Sequence, residues 1–137
     1  MEATFTIYGK PEGKARPRVT IHGTYTPKKT KQYEQAVQAD FKAQCRGMYF
    51  DNKPLQVEIT ANFPIPKRTP KNQRIDMLAG HIRPTKKPDC DNISKIILDA
   101  LNGIAYHDDS QVVAIWVEKW YVPGGDECVI VTIKEVT

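Results

Sequence analysis

Apolar and polar residues alternate most strictly over residues 55–63, where every second side chain is apolar. A period of two places the apolar side chains on one face of a β-strand and the polar ones on the other. A shorter alternation over residues 4–8 predicts a first strand with Phe5 and Ile7 directed inward. Both stretches therefore predict strands with one buried face.

The C-terminal third of the chain has two more stretches of β type, 112–122 and 128–136. The sequence Pro-Gly-Gly-Asp at 123–126 lies between them and is typical of a turn. We therefore expect the last two strands to form a terminal hairpin.

Apolar residues recur at helical spacing in two longer stretches, about 30–46 and about 92–102. Thr30 is the expected N-cap of the first helix, and Gly47 is its expected end. Gly103 follows the second helix at the position where left-handed backbone commonly ends a helix. Each helix has an apolar face that we expect to pack into the core.

The segment 64–88 is strongly basic, and Asp76 is its only acidic residue. Thr69 and Pro70 match an N-cap followed by proline at the first helical position, which predicts a short helix to about Ala79. The segment runs directly into an acidic stretch. A polyanion bound along it would therefore be delivered to carboxylates.

The order of elements, β, α, β, short α, α, β, β, predicts the α/β class, with a mixed sheet and packed helices (α+β) in a single domain over residues 1–137. There is no run of 18 apolar residues, so no membrane span is expected. The N-terminus lacks the charged and apolar regions of a signal peptide. The three cysteines form no C-x-x-C pair, which favours reduced thiols and a cytoplasmic location.

The charge of the chain is unevenly distributed. Residues 1–88 hold 17 Lys/Arg and 7 Asp/Glu, whereas residues 89–137 hold 3 and 9. A basic part joined to an acidic cluster suits an enzyme that binds a polyanion and cuts it with metal ions. Taken alone, the asymmetry is equally compatible with an ordinary solvated surface.

Asp89, Asp91 and Lys95 lie around the start of the second long helix. Pro88 favours extended backbone before it, and on extended backbone two residues two apart share a face, roughly 6–7 Å apart. Lys95 lies one turn after Asp91, so these two side chains can meet on one helix face.

Asp108 and Asp109 follow the same helix. If the six steps from Gly103 to Asp109 are extended, they reach about 20 Å, more than the helix length of about 15 Å. We therefore expect three or four carboxylates to converge at the helix start. Like charges at that distance need a proton or a cation between them, and hard oxygen ligands suit Mg²⁺ or Mn²⁺.

Each of these residues also has an ordinary structural explanation. Asp91 can cap the helix, and Lys95 can be its i,i+4 surface partner. Asp108 and Asp109 can be turn residues. For any one residue alone the structural explanation is the stronger, and only their combination favours a metal site.

The stretch from 88 to 111 resembles the RusA family of Holliday junction resolvases. The family pattern is P-D-x-D-N-x-x-K, then D-A-L-N-G, then D-D-x-Q. The chain has Pro88-Asp89-Cys90-Asp91-Asn92-Ile93-Ser94-Lys95, Asp99-Ala100-Leu101-Asn102-Gly103 and Asp108-Asp109-Ser110-Gln111. A weaker match lies upstream at 13–18 and 25–27. Cys90, where an aliphatic residue is expected, is a small departure.

The resemblance implies a homodimeric, Mg²⁺-dependent DNA endonuclease with a RusA-like domain. It implies metal binding by Asp89, Asp91 and Asp109, which with the essential Lys95 form the catalytic set. Asp108 matches a neighbouring acid and is a further candidate metal ligand. Mn²⁺ is the expected substitute for Mg²⁺.

Two basic stretches are candidates for DNA contact. Arg16 and Arg18 flank Pro17 on stiff backbone and can present forked donors to phosphates; the alternative is a solvated β-hairpin arm. In the segment 64–88 the candidates are Lys67, Arg68, Lys71, Arg74, Lys86 and Lys87. The alternative there is a mobile solvated loop.

We expect a structure-selective endonuclease that resolves four-way junctions by paired symmetric cuts during DNA recombination and repair. A two-fold junction needs two matched nicks, which a C2 dimer supplies. Apolar residues of the strand 112–122, namely Val113, Ile115, Trp116 and Trp120, are candidates for the dimer surface. The alternatives are a branched-DNA-binding protein that does not cut, and a nuclease for other branched or flapped DNA.

Overall fold

In a computed structural model that describes residues 1–137, the stretches with a period of two form one four-stranded sheet. A separate two-stranded hairpin follows the first strand. The elements in chain order are β1 (Glu2–Tyr8), β2 (Arg18–Thr20), β3 (Gly23–Tyr25), α1 (Lys28–Gln44), β4 (Leu55–Pro64), α2 (Lys71–Leu78), α3 (Cys90–Leu101), a 3-10 turn (Asp109–Gln111), β5 (Val112–Val122) and β6 (Cys128–Glu135).

The expected terminal hairpin is wrong, because β4 lies between β5 and β6. The strand order is β1-β6-β4-β5. β4 runs parallel to β5, with Ile59 opposite Val117, and antiparallel to β6, with Ile59 opposite Val131. Every second side chain of β4 is buried. A strand with a fully buried face is best satisfied by a neighbour on each edge. The predicted turn at 123–126 is present, since the Asp126 N–H donates to the Pro123 carbonyl at 3.0 Å, but residues 123–127 cross the end of β4 instead of joining adjacent strands.

Helices α1 and α3 cover one face of the sheet. Their apolar residues and those of the three strands β1, β4 and β6 supply most of one core of 22 buried residues. Phe5 and Phe41 meet edge to face with ring centroids 5.3 Å apart. Tyr106 is fully buried, and its hydroxyl donates to the Leu98 carbonyl at 2.7 Å. This packing confirms the inward direction of Phe5 and the mixed sheet with packed helices.

The segment after α2 covers part of the opposite face of the sheet. The Arg83 guanidinium lies 3.4 Å from the ring centroid of Trp120. Gly80 has φ +81°, and a Cβ there would lie 2.8 Å from the same ring. Only glycine combines this backbone with so close an approach.

The helix caps differ in part from the sequence-based expectation. Thr30 is buried in the first turn of α1, which begins after Pro27 without a side-chain cap. Thr69 does not cap α2, since Pro70 holds that position and the Thr69 hydroxyl donates to the Pro66 carbonyl. Gly103 has φ +73°, as expected at the end of α3. No helix is both long and apolar enough to cross a bilayer.

The two edges of the sheet are protected to different extents. On β1, Gln44 bonds both backbone groups of Thr6. On β5, Arg83 donates to the Lys119 carbonyl at 2.7 Å, and the Cys90 thiol lies 3.8 Å from the Val117 carbonyl. The first half of β5 has no such cover, and its backbone edge is open.

Candidate metal and nucleic-acid site

Asp89 and Asp91 lie at the N-terminus of α3. The helix begins at Cys90, with Asp89 as its N-cap, and Asp89 Oδ1 accepts the Asn92 backbone N–H at 3.0 Å. Asp91 is in the first turn. Both residues are exposed. The expected extended geometry is therefore replaced by a helix start, where the helix dipole favours carboxylates.

The N-terminal segment fixes this helix start from the side. A Cβ on Gly13 would lie 2.8 Å from Pro88 and 3.1 Å from Asn92, so the backbone there packs directly on the start of α3. The Lys14 backbone N–H donates to the Asn92 carbonyl at 3.1 Å. Asp89 and Asp91 therefore project from a rigid helix mouth.

The Lys14 side chain joins the two helices that cover the sheet. Its Nζ lies 2.9 Å from Glu34 on α1 and 3.3 Å from Asp99 on α3. Burial alone lowers the pKa of Lys14, but the hydrogen bonds and charges of the two carboxylates outweigh it and raise this pKa above its ordinary value. Lys14 is thus a structural cation, and Asp99 is one of its two partners.

Lys95 is exposed on the second turn of α3. It forms no ion pair within 4.0 Å with Asp91 or any other carboxylate. The alternative of a surface i,i+4 pair is therefore not observed. Its ammonium is free for a phosphate.

Asp109 lies at the other end of α3. Asn102, the C-cap of α3, accepts the Asp109 backbone N–H at 2.8 Å through its side-chain oxygen. The Asn102 amide also donates to Asp109 Oδ2 at 3.4 Å. Asp109 is half-buried in this position.

The expected convergence of carboxylates does not occur within one chain. The 12 residues of α3 separate its two ends by about 18 Å. No group of three His, Cys, Asp or Glu residues lies close enough to hold a metal ion. The link after the helix is compact and not extended, because Ala105 and Tyr106 are buried and Gly103 donates to the Tyr106 carbonyl. The link therefore packs against the end of α3 and does not carry Asp109 back to the start of the helix.

Asp108 caps the 3-10 turn. Its carboxylate accepts from the backbone and the hydroxyl of Ser110, while Gln111 closes the capping box by accepting the Asp108 N–H. The Ser110 hydrogen bonds lower the pKa of Asp108 below its ordinary value. The structure therefore gives Asp108 the turn role, whereas the Asp109 carboxylate has only the Asn102 amide as a partner.

The basic candidates divide between two cavities and the open surface. Lys67, Arg74, Lys86 and Lys87 line a cavity of about 760 Å³. Arg16 and Arg18 line a second cavity of about 390 Å³ that reaches Ile96, the neighbour of Lys95. Arg68 and Lys71 are exposed and line neither cavity.

Sequence reasoning missed three residues that bear on the site. Asn102 positions Asp109, and its only signal was its place in the D-A-L-N-G motif. Lys10 and Tyr121 line the larger cavity with the basic segment, although both are distant from it in sequence. No local pattern marks either of them.

Two similarities to known proteins cover nearly the whole chain. The family model described as Endodeoxyribonuclease RusA matches residues 8–134. A curated protein of Bacillus subtilis (strain 168), named uncharacterized protein YqaN, is 37% identical over 139 residues, which cover 97% of this chain and 96% of that protein. Both matches include the start of α3 and the 3-10 turn.

Proposed function

The chain belongs to the RusA family of endodeoxyribonucleases, and from this premise we propose that it is a homodimeric, Mg²⁺-dependent endonuclease that resolves four-way DNA junctions. Two symmetric cuts would be made, one by each protomer. The observation that carries the proposal is the intact set of Asp89, Asp91, Lys95 and Asp109, with Asp89 and Asp91 exposed at the start of α3 and Lys95 exposed on its second turn.

The carboxylates are ligands of the type that Mg²⁺ prefers, but one protomer brings too few of them together. Asp89 and Asp91 offer hard oxygen ligands, which Mg²⁺ and Mn²⁺ prefer. A third carboxylate is missing at that place in one protomer. We therefore infer that Asp109 of the partner subunit completes the site.

The open half of β5 supports this dimer. Lys119 and Val117 direct their carbonyls outward, so by alternation Ile115 directs its backbone groups outward too. The register with β4 shifts next to Val113, because Leu55 pairs with Val112 and Gln56 with Ala114, so Val113 is not part of the regular pairing. Val113 is 63% exposed and Ile115 is 45% exposed. An uncovered apolar edge of this kind pairs readily with a second copy of itself, which is an isologous C2 contact.

The register of such a pair brings the separated acids together. Antiparallel pairing of the two open halves of β5 about residue 114 brings residue 111 of one protomer towards the partner's Val117. Cys90 lies against Val117, so the start of α3 is at that level. The turn that holds Asp109 begins two residues before 111. One protomer's Asp109 would thereby face the partner's Asp89 and Asp91.

The residues have separate roles in this proposal. Asp89 and Asp91 of one protomer, with the partner's Asp109, would hold the ion. When bound, Mg²⁺ supplies Lewis-acid activation of water and neutralises charge at the phosphate. Lys95 donates to a phosphate oxygen or the leaving group on the same helix face. Arg16 and Arg18, on the α3 side of the hairpin, bind flanking phosphates.

The test is cleavage of a labelled synthetic four-way junction in Mg²⁺. We expect paired symmetric nicks, with Asp91→Asn slowing cleavage by about 100-fold or more while junction binding is retained. Asp126→Asn, an exposed loop acid outside the site, is the matched control and should cut as wild type does. A wild-type protein that cuts no four-way junction but cuts flapped DNA would point to the other nuclease class.

A second function is favoured by one observation, the absence of three carboxylates near one another in a single protomer. A protein that stays monomeric on DNA would bind branches without cutting them. Tight junction binding with no cleavage in either Mg²⁺ or Mn²⁺ would support that function and oppose the endonuclease.

A further inference from the structure

The cavity of about 760 Å³ opens at the C-terminal ends of the parallel strands β4 and β5. Residues 63–65 and Tyr121 form its wall at the strand ends, and the segments 84–87 and 124–125 close it. Ligands of sheets with parallel strands commonly bind at this end. The volume is that of a small-molecule site.

Five cations line this cavity without an ionic partner: Lys10, Lys67, Arg74, Lys86 and Lys87. None of them lies within 4.0 Å of a carboxylate. Glu127 is the only acid in the lining, and its carboxylate accepts the Gly125 backbone N–H. So many unpaired cations around one concavity repel one another, and a bound polyanion would relieve that repulsion.

The wall of the cavity adds an aromatic surface to these charges. Phe63 is only 6% exposed, and the Lys119 ammonium lies 5.3 Å from its ring centroid. Tyr121 is half-buried and therefore has surface left for a ligand. Sites for single-stranded nucleic acid combine cations that follow the phosphate backbone with an aromatic face on which bases stack. A phosphate ion alone would need no aromatic wall.

We propose that this cavity binds one unpaired nucleotide of a DNA strand, with its base against Tyr121 and its phosphates on the lysines. The proposal rests on the proposed function in one respect, that the bound polymer is DNA. Lys87 lies two residues before Asp89, so the nucleotide is held next to the candidate cutting site. Nucleotides at a branch point are the easiest to unstack, so the cavity selects branched DNA over an intact duplex.

The first test compares two short probes that differ only in their bases. Fluorescein-labelled tetrathymidylate is titrated without metal, alongside a base-free tetranucleotide with the same backbone, and anisotropy gives both Kd values. We expect the probe with bases to bind at least about fivefold more tightly, the lower end of what stacking of one base contributes. Tyr121→Ala should abolish this difference, and Tyr121→Phe should keep it. Equal affinity of the wild-type protein for both probes would overturn the proposal.

Because Tyr121 also packs against the core, a second pair of variants tests the cations without touching the fold. Lys67→Gln/Lys86→Gln removes two charges at the cavity. Lys31→Gln/Lys42→Gln removes two exposed charges on α1, away from the cavity. We expect tetrathymidylate affinity to fall about tenfold or more in the first variant and less than about twofold in the second. Equal losses in both would overturn the proposal.

The outcomes separate the cavity from the cutting site. If tetrathymidylate binding depends on Lys67 and Lys86 but the protein cuts no junction, the nucleotide-binding role of the cavity is supported. The proposed endonuclease is then contradicted. If the wild-type protein cuts junctions but its cavity variants bind tetrathymidylate as tightly as wild type does, the nucleotide-binding role of the cavity is contradicted. The proposed endonuclease is then unaffected. A glutamate peptide of matched charge that binds as tightly as tetrathymidylate would assign the cavity to an acidic protein segment and overturn the nucleotide.

Discussion

The side chain of Asn102 bonds Asp109 at two atoms. Its Oδ1 accepts the Asp109 backbone N–H at 2.8 Å, and its Nδ2 donates to Asp109 Oδ2 at 3.4 Å. Since Asn102 is also the C-cap of α3, the position of Asp109 is set by the end of the helix opposite to Asp89 and Asp91.

Replacing Asn102 by alanine releases Asp109 without touching the core. We expect Asn102→Ala to slow junction cleavage about tenfold, which corresponds to about 1.4 kcal/mol of transition-state stabilisation. The loss should be larger at limiting Mg²⁺, because the released carboxylate must be ordered again by the ion. Cleavage rates across a Mg²⁺ titration measure this. Asn52→Ala, at an exposed turn, is the control. An unchanged rate at limiting Mg²⁺ would show that Asp109 needs no positioning.

A site shared between two protomers can be restored by mixing two inactive variants. In a mixed dimer of Asp91→Asn and Asp109→Asn, one site carries both substitutions and the other carries neither. Half of the dimers in an equal mixture are mixed, so about a quarter of the wild-type sites should reappear. Junction nicking after co-refolding measures this. If all three acids act from one chain, the mixture stays as inactive as either variant alone.

A charge on the open edge of β5 should prevent dimer formation. Val113→Asp puts two carboxylates near the two-fold axis of the proposed pair, and like charges across a strand pair are destabilising. We expect a monomer by sedimentation velocity and a loss of cleavage, with the melting temperature nearly unchanged. Ile21→Asp, at a position 97% exposed on the hairpin arm, is the matched control. A Val113→Asp protein that remains dimeric would place the interface elsewhere.

Arg16 and Arg18 should each contribute one phosphate contact. For B-DNA the logarithm of the binding constant falls with the logarithm of salt concentration, with a slope of about −0.9 for each neutralised phosphate. We therefore expect wild-type affinity to fall steeply between low and moderate salt, and each Arg→Gln change to reduce the slope by about 0.9. Arg46→Gln, exposed after α1, should leave it unchanged. A flat wild-type response contradicts the assignment of these basic residues.

Removing the Lys14 ammonium leaves Glu34 and Asp99 without their shared cation. Its side chain is 17% exposed, so we expect Lys14→Met to cost about 1–2 kcal/mol, less than a fully buried pair. That corresponds to about 3–8 °C in Tm. Because the pKa of Lys14 is raised on folding, its contribution is complete below the unfolded value of about 10.4 and is lost as pH rises through the folded value. The Tm difference between wild type and variant should persist at pH 7–9 and shrink at more alkaline pH. Lys31→Met should have the same Tm as wild type both at pH 7–9 and at more alkaline pH.

The local elements were accessible from the sequence because their signals are local. The alternation over 55–63 is realised in β4, and the apolar spacing after Asp91 is realised in α3, with Gly103 in the left-handed conformation. Periodicity reports which face of an element is buried, and that face depends on neighbours only a few residues away. Family membership was accessible for the same reason, since its motifs lie within 24 consecutive residues.

The arrangement of these elements was decided by tertiary packing. Nothing near 123–126 indicates that β4 separates β5 from β6, because that order depends on which strand buries its face most completely. The reach of the link to Asp109 was estimated as if it were extended, but burial of Tyr106 folds it back on the end of α3. Chain length bounds how far apart two residues can lie. Only burial, which involves residues distant in sequence, determines where between those bounds they are found.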